Sequence, residues 1–351
     1  MNGGKGVNLF ITSAGRRGYI VKYFKEVIGN EGKVYAGNSS SLSPAFSYAD
    51  EQIVTPLIYD DAYIPFLLDF CKTKQIDFLI SLFDIDLFVL AQNKEKFREI
   101  GTEVIVSEPQ VVDRCNDKWK TYLFCKENGI STAETYLNPE DAYSSLQKNT
   151  LYFPLMVKPR WGMGSIAVFE AENHRELEVL YEKCKRDIQR SYLKYEAAFD
   201  LDHCVIIQQK LAGAEFGVDI INDLAGNYCS HVVRKKYAMR SGETDCAAVV
   251  REKAVSEFAE RLGKCSKHIG NMDVDVFVDQ GEVYLLEMNA RFGGGYPFSH
   301  LAGVNLPKAI VKWLRGEIIT DELTVKRYNR IIQKDICFLD LTEYQADLET
   351  C

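Results

Sequence analysis

The feature that most constrains this chain is a pair of β-prone runs, residues 274–278 and 283–286, broken by Asp279-Gln280-Gly281. Such a break makes a hairpin, and a hairpin sets the outer ends of its strands side by side. Asp275 and Glu287 then face each other. Asn289, two residues on, points to the same side of an extended strand as Glu287. Two carboxylates and an amide oxygen converging on one face suit Mg²⁺, a hard cation that takes oxygen ligands and shares its remaining shell with substrate phosphates. Ordinary turn-flanking acids on a sheet edge look the same in sequence, and the hairpin alone does not separate the two.

The rest of the chain narrows the choice. A length of 351 residues exceeds one simple core and implies two or three domains. The net charge of −8 argues against general nucleic-acid binding, which needs a basic face. No apolar run is long enough for a membrane span, and the N-terminus lacks a signal-peptide layout. The 10 cysteines are scattered without a CxxC pair, so they read as reduced thiols of a cytoplasmic protein, and the 5 dispersed histidines offer no zinc site.

In the first third, short apolar runs at 7–12, 33–37, 51–54, 78–81 and 103–106 alternate with helical patterns, among them 63–73 and 87–98. That alternation predicts a parallel sheet with helices on its faces, and ligands of such sheets bind beyond the carboxyl ends of the strands. The turn Ser13-Ala14-Gly15-Arg16-Arg17-Gly18 sits at such an end. It lacks the GxGxxG dinucleotide spacing, but its small residues and helix-start amides suit an anion. Arg16 and Arg17 are candidates to pair with a substrate carboxylate or phosphate, or else are solvated. Asp84 and Asp86 follow the run ending at Ser81. They read equally well as groups gripping an amine or hydroxyl and as acids favoured by a helix N-terminus.

Ser107-Glu108-Pro109 breaks the last strand of this layer and places a domain edge near residue 112. A helix is expected over 117–128, stopped by Gly129. The run 152–159 reads as a strand carrying one lysine, Lys158, and leads into Arg160-Trp161-Gly162-Met163-Gly164-Ser165, with a further strand expected at 166–169. Strand, glycine loop and strand make a flap whose backbone N–H groups can close over phosphate oxygens. A mixed-charge helical stretch (175–195) precedes a strand at 204–209, and a Gly-x-Glu segment follows, with Glu215 at the start of the next strand. An extended segment of this kind can read an adenine edge through its backbone, with a carboxylate on the ribose hydroxyls.

In order, a lysine before a glycine flap, a hinge with Gly-x-Glu and then Asp…Glu-x-Asn resemble the ATP-grasp superfamily, over roughly residues 1–315. The likeness is strongest to carbamoyl-phosphate-synthase-like and biotin-carboxylase-like carboxylate ligases. It implies an N-terminal parallel α/β domain, Rossmann-like, at 1–112. A two-lobed ATP-grasp domain would occupy 113–315, with a flap part at 113–205 and a metal-binding lobe at 206–315. Residues 316–351 match nothing assignable. The resemblance further implies that Lys118 and Lys158 hold ATP phosphates under the flap Gly162, Met163, Gly164 and Ser165. Gln208, Gln209, Lys210 and Leu211 would form the adenine hinge, and Glu215 the ribose ligand. Asp275, Glu287 and Asn289 would hold Mg²⁺, for which Mn²⁺ is a chemical substitute, and Arg291 would steady substrate and transferring phosphate. Many relatives carry an acid at the hinge where this chain has Gln208 and Gln209; a glutamine oxygen can still accept from the exocyclic amine. The loop 292–300 and the segment Arg240-Ser241-Gly242-Glu243-Thr244 resemble the substrate loops of the same group.

The implied activity is ligation. A carboxylate attacks the γ-phosphate of ATP to give an acyl phosphate, and an amine then displaces phosphate. Carbamoyl-phosphate-like chemistry on bicarbonate, a catalytically inactive ATP-binding protein and a nicotinamide oxidoreductase are the other readings. A single ATP-grasp unit, the intact acidic set and the missing glycine fingerprint count against them in turn. Arg16, Arg17, Asp84, Asp86, Arg240 and Glu243 are the expected lining of the acceptor pocket, with Tyr19, Tyr237 and Phe298 as aromatic candidates. Small-molecule carboxylate and amine partners follow, with neither nucleic acid nor membrane. Members of the resembled group are often homodimers; no feature of the sequence demands that state.

Overall fold

The protein is described by a computed structural model over residues 6–342. The first layer is the parallel sheet the alternation predicts. Its strands are β1 (Leu9–Thr12), β2 (Val34–Asn38), β3 (Glu51–Val54), β4 (Phe78–Ser81) and β5 (Glu103–Val104), in the order β3-β2-β1-β4-β5. The central strands β1 and β4 are wholly buried, as strands covered on both faces must be. Helices α1 (Gly18–Ile28), α2 (Tyr63–Lys74) and α3 (Asp84–Glu99) supply the crossovers. The last of these starts at Asp84, three residues before the expected 87, because Asp84 and Asp86 occupy its first turn, where the helix dipole favours acids.

Helices α4 (Pro109–Asn116) and α5 (Lys118–Glu127) lead out of this layer. Asp117 between them caps α5 through the amides of Trp119 and Lys120 and takes a bidentate Arg160 at 2.8 and 2.7 Å. A four-stranded antiparallel sheet follows: β6 (Thr135–Tyr136), β7 (Leu155–Pro159), β8 (Phe169–Ala171) and β9 (Val205–Gln209), in the order β6-β9-β7-β8. Helices α6 (Pro139–Gln147) and α7 (His174–Gln189) accompany it, and Leu155, Val157, Leu177, Cys184 and Ile207 share one core. Two expectations are corrected here. The strand placed at 166–169 lies instead at Phe169–Ala171, since Gly164, Ser165 and Ala167 all have positive φ and cannot extend. The helical stretch 175–195 ends at Gln189, and a separate short helix, α8 (Lys194–Ala197), follows.

The third sheet is antiparallel. It comprises β10 (Ala214–Asn222), β11 (Tyr228–Arg240), β12 (Glu243–Val249), β13 (Gly270–Asp279), β14 (Glu282–Asn289) and β15 (Ile331–Gln333), in the order β14-β13-β10-β11-β12-β15. Helix α9 (Lys253–Ser266) buries Val255, Phe258, Ala259 and Leu262 against one face, with Val218, Ile220, Met272 and Val274. The other face is left for the acids of the sequence motif. Past β14 the chain turns through α10 (Tyr296–Leu301) and α11 (Leu306–Leu314). Phe292, Tyr296 and Ile310 there join Leu9, Phe24 and Phe78 in the core of the first sheet. The segment after the acidic hairpin therefore presses the third sheet against the first, and the site lies in the seam. No helix among the described residues is long and apolar enough to cross a membrane.

Candidate functional site

The hairpin that dominates the sequence forms in the expected register, with Asp275 opposite Glu287 and Asp273 opposite Asn289. Directly paired residues of an antiparallel ladder point to one face. Following the pairing through β10 and β11 puts Gly217 and Arg234 in line with Asp275, and Asp219 in line with Asp273. Because side chains alternate along a strand, Glu215 and Lys236 belong to the same face. Gly217 makes this crowding possible: a Cβ there would stand 3.2 Å from both Arg234 Nη2 and Lys236 Cε. Through that gap Lys236 Nζ reaches Glu215 and Asp275, 2.7 Å from each. The wholly buried Arg234 donates to Asp219, Ser299 and, at 3.2 Å, Asp273.

Arg291 extends this ionic chain across the seam. Its Nε donates to Asp84 Oδ2 at 2.8 Å and its Nη1 lies 3.7 Å from Asp273. Asp219, Arg234, Asp273, Arg291 and Asp84 thus alternate in sign through the interior, each buried charge with an opposite neighbour. At the hairpin the balance is less complete. Burial pushes the Asp275 carboxyl up; Lys236 pulls it down, while Asp273 and Glu287 add to the rise. Glu287 moves the other way, for although burial opposes its ionisation, Lys118, the amide of Asn289 and Lys158 hold it below the usual carboxylate range. Asn289 turns its amide nitrogen to Glu287 at 2.9 Å, which leaves its oxygen for another partner. Lys158, on β7 and only 7% exposed, has its ammonium lowered to about 8, by burial first and by Lys118 second.

Two cavities meet over this face. The larger, about 450 Å³, lies between the second and third sheets. Lys118, Lys158, the flap Gly162, Met163, Gly164 and Ser165, the strand end Gln208, Gln209, Lys210 and Leu211, and Glu215 line it. The smaller, about 270 Å³, runs to the first sheet and is lined by Ser13 to Arg17, Asp84, Tyr192, Glu243, Asp273 and Arg291. Met163, Gly164, Met239, Gly242, Asp275 and Glu287 belong to both. The flap closes the junction from above, where Gly164 packs on Gly242 so tightly that a Cβ on Gly242 would come within 2.8 Å of the Gly164 carbonyl carbon. On the wall of the larger cavity Gln208 Nε2 donates to Thr135 at 2.9 Å, while its buried Oε1 has no hydrogen-bond partner.

Comparison with known proteins gives this geometry a lineage. Residues 9–105 match the family described as PylC-like, N-terminal domain, and residues 202–334 match the family described as ATP-grasp in the biosynthetic pathway with Ter operon. The second match contains both strands of the acidic hairpin. The chain thus carries a PylC-like N-terminal domain and an ATP-grasp domain. It is 22% identical over 311 residues to the carbamoyl phosphate synthase large chain of Methanosarcina barkeri, a match covering 82% of this chain but 27% of that relative. The chain thus spans about a quarter of the length of that curated relative. Among solved structures it is similar to biotin carboxylase from Campylobacter jejuni (TM-score 0.71, 17% identity, 92% of this chain and 74% of that one). It is also similar to L-amino acid ligase from Bacillus licheniformis (TM-score 0.69, 19% identity, 93% and 80%).

Against this ATP-grasp frame the sequence candidates sort cleanly. Lys118, Lys158, the flap, Gln208 to Leu211 and Glu215 come together on one cavity, Asp275 and Glu287 at the junction, and Asn289 and Arg291 on the smaller cavity. Arg16, Arg17, Asp84 and Glu243 line the smaller cavity. Asp86 does not: it is fully buried and accepts from the hydroxyls of Thr12, Ser13, Ser81 and Tyr63 at 2.6–3.0 Å, so it ties β1, β4 and α2 together. Arg240 also stands outside the cavity lining, paired with Asp245 at 2.9 Å. Of the aromatic candidates Tyr19, Tyr237 and Phe298, none lines either cavity; Tyr192 from the α7–α8 turn does. Sequence reasoning passed over Asp273, Lys236 and Arg234. Asp273 carried a signal, since it sits two residues before Asp275 on the same strand face. For Lys236 and Arg234 there was none short of knowing that β11 pairs with β10.

Among the described residues no three His, Cys, Asp or Glu side chains stand together as a ready metal cage. The donor chemistry still fits a hard divalent cation. Two adjacent carboxylates, one of them destabilised by burial and then by its acidic neighbours, and a free amide oxygen leave the remaining positions to phosphate oxygens and water.

Proposed function

We propose that this protein is an ATP- and Mg²⁺-dependent ligase that activates a carboxylate as an acyl phosphate for attack by an amine. The observation that carries the reading is the junction: a phosphate-suited cavity and a polar acceptor cavity share Asp275 and Glu287 at their meeting point. The 450 Å³ cavity takes the nucleotide. Gln208 Oε1, a buried acceptor without a partner, suits the exocyclic amine of adenine, and Glu215 suits the ribose. Lys118, Lys158 and the flap amides hold the phosphates. Asp275, Glu287 and Asn289 would hold Mg²⁺, which would supply charge neutralisation for the phosphates.

Phosphoryl transfer asks chiefly for positioning and for charge compensation. Arg291, held by Asp84 and Asp273, lines the smaller cavity together with Asp275 and Glu287 and so supplies positive charge near the transferred group. Asp84, Arg16, Arg17 and Glu243 line the acceptor side, and Gly164 packs on Gly242 over the junction. The domain limits expected from sequence, near residues 112 and 315, are retained as part of this proposal.

The test is ADP and phosphate release from MgATP against a panel of carboxylates and amines, with Glu287→Gln beside the wild type. Turnover needing both a carboxylate and an amine, and reduced about 100-fold or more in the variant, is the expected result. Release with bicarbonate alone would replace the ligase reading with carbamoyl-phosphate-like chemistry, and failure to bind ATP would remove both.

A further inference from the structure

The C-terminal segment, which the sequence left without a role, runs along the edge of the third sheet at residues 331–333 and passes beside a residue of the acceptor cavity at Lys334. β15 pairs antiparallel with β12 (Ala248 with Ile331, Ala247 with Ile332, Cys246 with Gln333). The ladder is extended by Asn329 N–H to Val249 O and Lys334 N–H to Asp245 O, both 2.8 Å. This register delivers Lys334 to the turn end of the β11–β12 hairpin, where its Nζ lies 3.3 Å from Glu243 Oε2. The other carboxylate oxygen of Glu243 stands 3.7 Å from Arg17 Nη2, and Arg17 also donates to the Leu82 carbonyl. Glu243 has little freedom to leave, because the chain at Gly294 passes so close that a Cβ there would meet its Cδ at 2.7 Å.

The segment touches the same turn at its far side. Cys337 lies beside Tyr48, whose ring fills the space where a Cβ of Gly18 would stand, 2.5 Å from Tyr48 Cδ2. The Ser13 to Gly18 turn, which forms one wall of the acceptor cavity, is therefore gripped at Arg17 through Lys334 and Glu243 and at Gly18 through Tyr48.

We infer that β15 is a working part of the acceptor site, and that Lys334 is a positioning residue that acts through Glu243 and Arg17 to fix the wall of that cavity. Lys334 does not itself line the cavity. It shares the charge of Glu243, which keeps that carboxylate on Arg17 and away from any ammonium group of a substrate. The inference rests on the smaller cavity taking the acceptor, as proposed above.

The test uses the full chain with Lys334→Met, and Lys334→Arg as the charge-restoring control. Amide hydrogen exchange at residues 13–18 needs no substrate. It is expected to quicken in Lys334→Met, stay at the wild-type rate at residues 206–211, and recover in Lys334→Arg. MgADP affinity is expected to match the wild type. With the acceptor found by the panel, its KM should rise about tenfold while the KM for MgATP and kcat change by less than about twofold. Exchange at 13–18 that does not respond, or that quickens equally at 206–211, would overturn the inference. So would an acceptor KM that is unchanged. If no acceptor supports turnover, the ligase reading fails by itself, and the exchange data still decide whether Lys334 holds the turn.

Discussion

Lys158 is the residue whose chemistry and stability pull in opposite directions. Its ammonium, ordinarily near 10.5, is lowered to about 8 in the folded protein, chiefly by burial and then by Lys118. A lysine whose folded pKa is depressed holds its proton more firmly in the unfolded chain than in the folded one. Between about pH 8 and 10.5 the unfolded state therefore binds more protons, and stability rises with pH across that window. Below it, the buried cation costs the nucleotide-free fold roughly 2–4 kcal/mol. Lys158→Met keeps the side-chain volume and removes the charge. The nucleotide-free variant is expected to melt higher than wild type at pH 7, with the difference vanishing near pH 10.5, and to lose the rise in Tm that MgADP gives the wild type. Thermal melts with and without MgADP at the two pH values decide it. A variant that melts lower at pH 7, yet still responds to MgADP, would mean that Lys158 is an ordinary packed lysine.

At the scale of elements, what the sequence made legible is what is local. The hairpin register follows from period-two alternation and one turn, so Asp275, Glu287 and Asn289 were placed from residues within a single short stretch. The parallel layer was readable because its strands are short apolar runs separated by helical patterns. Pairings between distant strands were not readable: Lys236 reaches the acids only because β11 pairs with β10 and residue 217 is glycine. Nor does spacing tell which of two acids in one helical turn faces the site. Asp84 and Asp86, two apart, point in different directions, one to Arg291 and one into a nest of hydroxyls. The flap misled for a conformational reason, its left-handed residues having replaced a strand by a tight turn. That turn rests on Gly242, which is itself left-handed at φ +76° and has Gly164 within 2.8 Å of its absent side chain. Gly242→Ala is expected to destabilise by about 1–2 kcal/mol through backbone strain and to lift the flap. Because the flap borders both cavities, KM should rise for MgATP and for the acceptor together. A rise for one alone would show that the flap and the β11–β12 hairpin act separately.

For the whole molecule, the decisive contact is the one that ties the parallel layer to the acidic hairpin. Arg291 Nε to Asp84 Oδ2 joins residues 207 apart in sequence, and both side chains are nearly buried, at 7% and 6% exposed. It couples the first turn of α3, in the parallel layer, to the residue that follows the acidic hairpin. Phe292 and Tyr296, packed into the core of the first sheet, pull the same segment in the same direction. Position of the arginine and union of the two sheets are thus one structural event, and a single substitution should disturb both. Asp84→Asn keeps the shape but removes the charge, leaving Arg291 with Asp273 at 3.7 Å as its carboxylate partner. Breaking one side of a buried pair is expected to cost about 3 kcal/mol. The wild type should unfold in urea in a single transition reported alike by Trp313, on α11 against the first sheet, and by Trp161, beside the flap. In single-tryptophan versions carrying Asp84→Asn, the Trp313 transition is expected to move to lower urea than that of Trp161, with turnover falling in parallel. Coincident transitions displaced by the same amount would show that the sheets are united by their apolar core alone. The ion pair would then serve only to aim Arg291.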